Sequence, residues 1–410
     1  MLWRHADFLK LWAGQTVSLF GSLIGRFVLP LVAAITLEVS PLEMAFLRSA
    51  PIASGLLVAL AAGVWVDRLR RRPIMIWADL GRAALLATIP LAALAGRLSV
   101  EHLFVVAVLV GVLTTFFDVA YRSYLPTLVR REELVEGNAK LQTTGAIAEV
   151  ASFGLAGLVV QLLSAPVAIL IDSASFVASA ISLGLIGRAE PPPAPPEARQ
   201  SAWREAHEGV ALLSREPLLR ALAAAKLSHE LFLNVVVAVM TLYLLRELSI
   251  EPVRLGLLYA IGGVTALAGA LYAQRAVARW GLGPCLVVGL LLSSLAFLLL
   301  PAAAGPTWLV LAMVGGQQLG DGPAVVFEVA ESSLVQGMVP ERLQGRVNAS
   351  FRLLGWGAAL GGLLAGGVLG ESIGLRATMA VGAVGMVLSI GWLVWSPIPR
   401  LRGIPTGVTV

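Results

Sequence analysis

The chain has 410 residues, of which 58% are hydrophobic and 13% are charged. A soluble domain carries roughly 25% charged residues, so this composition excludes an ordinary soluble enzyme. The formal net charge of +5 is no nucleic-acid signature, because the basic residues are confined to particular loops.

Long apolar stretches follow one another along the whole chain. A helix that crosses the bilayer core needs about 20 apolar residues, and lipid cannot satisfy an open backbone, so helices are expected. The alternation typical of a membrane barrel is absent. We predict spans over 11–37, 42–66, 73–95, 101–124, 139–164, 166–188, 217–245, 254–279, 282–304, 306–335, 344–370 and 373–396.

The segment 117–139 returns 210 residues later as 327–349. The residues Phe117, Val119, Ala120, Ser123, Val129, Asn138 and Ala139 recur unchanged at Phe327, Val329, Ala330, Ser333, Val339, Asn348 and Ala349. An acid recurs as Asp118 and Glu328. The repeat predicts an all-α polytopic membrane protein of twelve transmembrane helices in two pseudo-symmetric six-helix bundles.

A Pro-rich segment separates the two repeats. It begins as PPPAPP between Glu190 and Glu197, and such composition makes a semi-rigid spacer. We predict an N-terminal bundle over 1–188, a cytoplasmic linker over 189–216 with a helical piece near Trp203–Leu213, and a C-terminal bundle with a short tail over 217–410.

Lysine and arginine predict the orientation. The even-numbered loops and both ends hold 21 of these residues and the opposite face holds 5, so both termini and the linker are expected in the cytoplasm. The remaining four lie inside spans: Arg26, Arg82, Arg122 and Lys226.

Ionisable groups at membrane depth are costly and usually serve a function. In the first half, Asp118 and Arg122 stand four apart and can pair on one helix face. That pair serves either helix packing or transport. Arg26 and Glu149 have no local partner, so a contact of Arg26 with Glu149 or Asp118 is a hypothesis. Asp172 is expected either to hydrogen-bond a neighbouring helix or to take part in coupling.

The second half carries acids on two helices. Glu328 and Glu331 lie on one turn, and two close carboxylates tend to share a proton. Proton uptake or recognition of a cation is the functional interpretation; a hydrated Glu331 at the helix end is the alternative. Glu230 stands four residues after Lys226, and we expect the two to pair.

The loop between the second and third spans reads Gly63-Val-Trp-Val-Asp67-Arg68-Leu-Arg70-Arg71-Arg72. It resembles the GxxxDRxGRR signature of the major facilitator superfamily, in which it acts as a gate latch between the halves. Gly63, Asp67, Arg68, Arg71 and Arg72 match it, and Arg70 stands where the family usually has glycine. The corresponding place in the second half, 269–279, keeps glycine and arginine but not the acid, so the latch would be one-sided.

Other stretches are similar to the macrolide-efflux-type drug:proton antiporter branch. They are Asp7-Phe8 with Leu11-Trp12-Ala13-Gly14-Gln15, Leu125-Pro126 with Asn138-Ala139, and Asp172 to Phe176. The resemblance covers about 1–395. It implies a monomeric secondary transporter that moves a small molecule against protons, but not which substrate, since the branch resembles exporters of macrolides, siderophores and lysophospholipids.

Glycine is concentrated in the fifth and eleventh spans, which occupy matching places in the repeats. Small residues let membrane helices approach closely, and in a rocking transporter these two helices would cross between the halves. Close packing alone is the alternative.

Signals of an enzyme are missing. No GxxxxGK[ST] is present, and His229-Glu230 lacks a second histidine at the zinc spacing. We therefore expect no catalysis, cofactor, metal site or nucleic-acid partner.

These observations predict a secondary exporter in the cell inner membrane, most simply a proton-coupled antiporter of amphipathic or cationic organic compounds. Coupling or binding is assigned to Asp118, Arg122, Glu149, Glu328, Arg26, Glu331, Asp172 and Glu230. The cytoplasmic gate is assigned to Asp67, Arg68, Arg71 and Arg72. A lipid, lysophospholipid or siderophore translocase, and a receptor with an inactive transporter fold, are the alternatives.

Overall fold

The structure, a computed structural model, describes residues 2, 5–130, 133–188, 190 and 210–405. All regular structure within these ranges is helical. The first part of the chain forms α1 Ala6–Leu31, α2 Pro41–Arg68, α3 Arg71–Leu94, α4 Val100–Leu128, α5 Leu134–Leu163 and α6 Ala165–Gly184. The second part forms α7 Pro217–Leu242, α8 Pro252–Trp280, α9 Leu282–Phe297, α10 Thr307–Gln317, α11 Asp321–Met338, α12 Glu341–Ile373 and α13 Leu375–Ser389.

Within the described ranges, nine helices are long and apolar enough to cross a membrane. The number is ten if the two parts of α5, which meet at 52°, count as one span. The chain is thus a multi-pass membrane protein, and the count of twelve spans stays a prediction. Most of the predicted linker, namely 189 and 191–209, lies outside the described residues.

The helices begin where the sequence supplies starting residues. Proline opens α2 and α8 and occupies the first turn of α7, where its missing N–H costs nothing. The side chain of Ser99 accepts a hydrogen bond from the His102 N–H and so caps α4.

Backbone conformation repeats along the chain just as the sequence does. The first helix of each half ends in a π-helical turn, Val32–Thr36 after α1 and Tyr243–Glu247 after α7. Glu38 and Ser249 follow these turns with the same positive φ of 51°. Ser164 between α5 and α6 corresponds to Gly374 between α12 and α13, and their φ values are 69° and 86°. These matching connections support descent of both halves from one repeated unit.

The chain divides into two compact units. One comprises Met1–Val39, Phe46–Ala198 and Glu251–Leu257, and the other comprises Ser40–Ala45, Arg199–Ile250 and Leu258–Val410.

In the first unit, α1 and α6 approach so closely that larger residues would clash. A Cβ placed on Gly21 would lie 2.0 Å from Ser175 Oγ. In the second unit, a Cβ on Gly366 of α12 would lie 2.6 Å from the Val235 carbonyl oxygen of α7. Small residues therefore set the spacing of membrane helices in each unit.

Ser164 adopts φ 69° and ψ 154°, a conformation that is open almost only to glycine and costs about 1–3 kcal/mol in other residues. Ser164→Gly is therefore expected to raise the thermal unfolding midpoint of the purified protein in detergent. The matched Gly374→Ser variant is expected to lower that midpoint. Equal midpoints for all three proteins would show that the connection relaxes without cost.

Candidate functional site

A buried ion pair lies inside the first unit. Arg82 and Asp79 stand one turn apart on α3, and their side chains form a salt bridge. Arg82 is 4% exposed and Asp79 is fully buried. A buried charge is costly unless it is paired, so each of these residues makes the other tolerable.

Two aromatic rings enclose the guanidinium of Arg82. Its Cζ lies 4.5 Å from the ring centroid of Phe117 on α4 and 4.0 Å from that of Phe176 on α6. A cation over an aromatic face is attracted by the ring, most strongly when water is excluded. Arg82 therefore links α3, α4 and α6 through charge and packing together.

Two further carboxylates lie in the field of the same cation. Arg82 interacts electrostatically with Asp118 of α4 and Asp172 of α6. Asp172 is buried and accepts a hydrogen bond from Ser22 Oγ at 3.2 Å. Asp118 is exposed on the surface of its unit. One buried cation thus faces one enclosed and one accessible acid, in addition to Asp79.

Gly25 of α1 makes room for the Asp172 carboxylate. A Cβ at this position would lie 2.2 Å from Asp172 Oδ2. The predicted hydrogen bond between Asp172 and a neighbouring helix is confirmed, because the donor, Ser22, belongs to α1.

The ionisable residues predicted to pair in this half do not form the expected close ion pairs. Arg122 is exposed and acts on Asp118 electrostatically, and among the described residues no ion pair within 4.0 Å joins the two. Arg26 is exposed and acts on Asp172. Glu149 is exposed on α5. Arg26 therefore belongs with Asp172 rather than with the two acids suggested from the sequence.

The second unit holds its own charged cavity. Lys226 Nζ on α7 lies 2.6 and 2.7 Å from the two carboxylate oxygens of Glu331 on α11. The predicted pairing of Lys226 with Glu230 is wrong, because Lys226 pairs with Glu331 of α11 instead, whereas the Glu230 carboxylate accepts a hydrogen bond from Asn234. Glu331 is only 6% exposed, so the idea of a merely hydrated side chain is also wrong.

The Lys226–Glu331 pair borders a cavity of about 540 Å³. Glu230 and Glu328 also line it, and Glu230 accepts a hydrogen bond from Asn234 at 3.0 Å. Two aromatic rings that line the cavity make cation–π contacts. Lys226 Nζ lies 5.7 Å from the Phe351 ring centroid, and Arg352 Cζ lies 6.0 Å from the Trp356 ring centroid. The lining contains three carboxylates and two cations: Glu230, Glu328, Glu331, Lys226 and Arg352.

The predicted gate loop is anchored within the first unit. Glu190 accepts hydrogen bonds from the backbone N–H groups of Arg71 at 2.7 Å and Arg72 at 3.1 Å, which are the first residues of α3. The Arg72 side chain donates to the carbonyl oxygens of Leu183 and Gly184 at the end of α6. An acid at a helix N-terminus satisfies unpaired N–H groups and the helix dipole.

The other two gate residues differ from these. Arg68 is exposed, and the side chain of Asp67 lies outside the described residues. Within the described ranges, no group of three or more metal-ligating side chains could hold an ion.

Three residues of these sites are not predicted from the sequence. Arg82 is recognised there only as an intramembrane charge, Asp79 is not a candidate, and Glu190 is placed in the linker. A signal for the first two exists, because an acid and a base three apart in an apolar helix share one face. Nothing in the sequence indicates that Glu190 returns to the start of α3.

Removing one member of a buried ion pair costs about 3–5 kcal/mol, because the other charge remains without compensation. Asp79→Asn and Arg82→Gln are each expected to lower the thermal unfolding midpoint strongly. The double variant is expected to lose less than the sum of the two. Arg68→Gln is the exposed control, and strictly additive losses would contradict mutual compensation.

The comparisons with known proteins agree with a transporter. The model of a family described as the Major Facilitator Superfamily matches residues 11–354. The multidrug efflux pump Tap of Mycolicibacterium fortuitum is 27% identical over 361 residues, 85% of each chain. An uncharacterized MFS-type transporter of Sinorhizobium fredii, y4rN, is 26% identical over 86% of each chain.

Solved structures with the same fold are also transporters. The nucleoside transporter NupG has a TM-score of 0.73 at 16% identity, over 95% of this chain and 97% of that one. A bacterial homologue of the iron transporter ferroportin, in its inward-facing state, has a TM-score of 0.73 at 18% identity, over 95% and 98%. At these identities the likeness shows the fold alone.

Proposed function

This chain belongs to the major facilitator superfamily, and from that premise we propose that it is a secondary active exporter of amphipathic or cationic organic compounds, driven by proton antiport. The proposed direction of transport, out of the cell, rests on the relative Tap, which is named as a multidrug efflux pump. Transport would proceed by alternating access of two six-helix bundles in the cell inner membrane, with both termini in the cytoplasm.

The observation that carries the proposal is the set of carboxylates around Arg82. Asp118 and Asp172 share the field of this one buried cation with Asp79. Protonation of one acid removes its attraction to the cation, so the balance of charges within the unit changes with proton occupancy. Such a change is what a proton-coupled transporter needs to favour one conformation over another.

Asp118 and Asp172 each interact with a second arginine besides Arg82. Arg122 acts on the accessible Asp118 and Arg26 acts on the enclosed Asp172. In this proposal Asp118 exchanges protons or substrate with water, and Asp172 holds the arrangement from within. Glu149, exposed on α5, is retained as a further binding acid.

The cavity of the second unit is suited to a cationic group. Three carboxylates and two basic side chains line it. Its aromatic rings, Phe351 and Trp356, already make cation–π contacts with Lys226 and Arg352. A substrate amine would compete with Lys226 for Glu331 and find Glu328 and Glu230 nearby. The apolar part of an amphipathic substrate would lie against Phe351 and Trp356.

The loop before α3 would form the cytoplasmic gate. Glu190 and the end of α6 anchor Arg71 and Arg72, and we assign the contacts that change during transport to Arg68 and Asp67. Because the corresponding loop of the second half lacks the acid, the gate would be closed mainly by the first half.

The test is transport by the purified protein in liposomes with an imposed pH gradient. We expect substrate accumulation to follow the gradient and to collapse with a protonophore. Asp118→Asn should uncouple accumulation from the gradient while counterflow of substrate continues, and Glu328→Gln, in the substrate cavity, should weaken both accumulation and counterflow. Arg352→Gln tests the substrate cavity and should change apparent affinity without removing the dependence on pH.

Two results would overturn the proposal. Exchange that ignores the gradient and survives both acid substitutions would remove proton coupling and favour a lipid or siderophore translocase. No transport, together with unchanged accessibility of single cysteine probes on α5 and α12 after removal of Cys285, would indicate a receptor with an inactive transporter fold.

A further inference from the structure

An apolar groove opens on the surface of the first unit. It has a volume of about 540 Å³ and lies between the end of α2, the beginning of α3 and α4. Trp65, Trp77 and Phe116 form its walls. Trp65 is 60% exposed and Trp77 is 73% exposed, so both indoles can contact a ligand in the groove.

A cation stands at one end of this apolar groove. Arg70 lines it, at the residue immediately before α3. The side chain of Arg70 makes no capping hydrogen bond, and among the described residues it has no ion pair. Its neighbours Arg71 and Arg72 are bound to Glu190 and to the end of α6, and Arg70 is the charged residue that lines the groove.

The second unit contains a comparable groove without a charge. It has a volume of about 420 Å³ and lies between α8, α9 and α11, the helices that correspond to α2, α3 and α4. Tyr272 and Trp280 line it in an edge-to-face contact at 5.9 Å. No charged side chain is among its lining residues. An apolar groove is thus common to both repeats, whereas the cation at its end belongs to the first alone.

We propose that the groove of the first unit is a binding site for an anionic phospholipid. The phosphate group pairs with Arg70, since a guanidinium matches phosphate oxygens in charge and geometry. An acyl chain lies against Trp65, Trp77 and Phe116. Tryptophan is enriched at the level of the lipid head groups, and basic pockets between membrane helices on the cytoplasmic side recognise anionic head groups. The site is independent of the exported compound.

The experiment uses the full-length protein in nanodiscs of phosphatidylcholine with a minor fraction of phosphatidylglycerol. Bromine atoms on the acyl chains of one lipid at a time quench nearby tryptophans. The emission of Trp77 is obtained as the difference between the wild type and Trp77→Phe. We expect brominated phosphatidylglycerol to quench Trp77 about fivefold more, per mole fraction, than brominated phosphatidylcholine, the factor that one basic residue contributes near an anionic surface.

Matched variants distinguish binding at Arg70 from a general attraction of anionic lipid to basic residues. Arg70→Gln is expected to remove the excess quenching, and Arg279→Gln, at the end of the corresponding helix α8, is expected to preserve it. Trp280, measured through Trp280→Phe, reports on the uncharged groove and should be quenched equally by both lipids. Soluble glycerophosphate should not reduce the excess at Trp77, because the acyl chain supplies part of the binding.

Equal quenching of Trp77 by the two lipids in the wild type would overturn the proposal. So would an excess that persists in Arg70→Gln. Unchanged thermal unfolding midpoints of Arg70→Gln and Arg279→Gln show that the comparison is made on folded proteins. Loss of the excess on addition of glycerophosphate would instead indicate a site for free phosphate compounds.

Discussion

The buried pair of Asp79 and Arg82 is the interaction on which the first unit depends. It places a full positive charge where three helices meet, between the rings of Phe117 and Phe176. Once that charge is present, the acids around it become tolerable at membrane depth, and Asp172 gains its enclosed position beside α1. The second unit solves the same problem differently, with Lys226 and Glu331 joined across α7 and α11 at the edge of a cavity.

Much of the architecture could be predicted from the sequence, because bilayer thickness and backbone satisfaction leave few choices. The predicted spans coincide with helices, and proline marks the starts of α2, α7 and α8. The break between α10 and α11 at Gln318–Gly320 was not predicted. The run from 306 to 335 reads as one apolar segment, and the tighter turn packs on α9, where a Cβ on Gly320 would lie 2.7 Å from the Ala296 Cβ.

The sites were less predictable than the helices, because their partners lie on different helices. Spacing within a helix singled out Asp118, Glu328 and Glu331 as candidates. It could not reveal that Lys226 reaches α11, or that Glu190 folds back onto the first turn of α3. Those contacts join residues of different helices or of a returning loop, and residue spacing within one helix does not encode them. The two rings that contact Arg82 could not be predicted either, because they lie on other helices and phenylalanine is common in apolar helices.

The neutrality of the Asp79–Arg82 pair has an electrical consequence. A single charge that crosses the membrane potential gains or loses about 2.3 kcal/mol per 100 mV. A pair of opposite charges that moves together contributes nothing to that work, however far its helix is displaced. Membrane voltage therefore does not act on this pair, and any charge movement during the proposed cycle comes from the ionisable groups outside it and from the charge of the substrate.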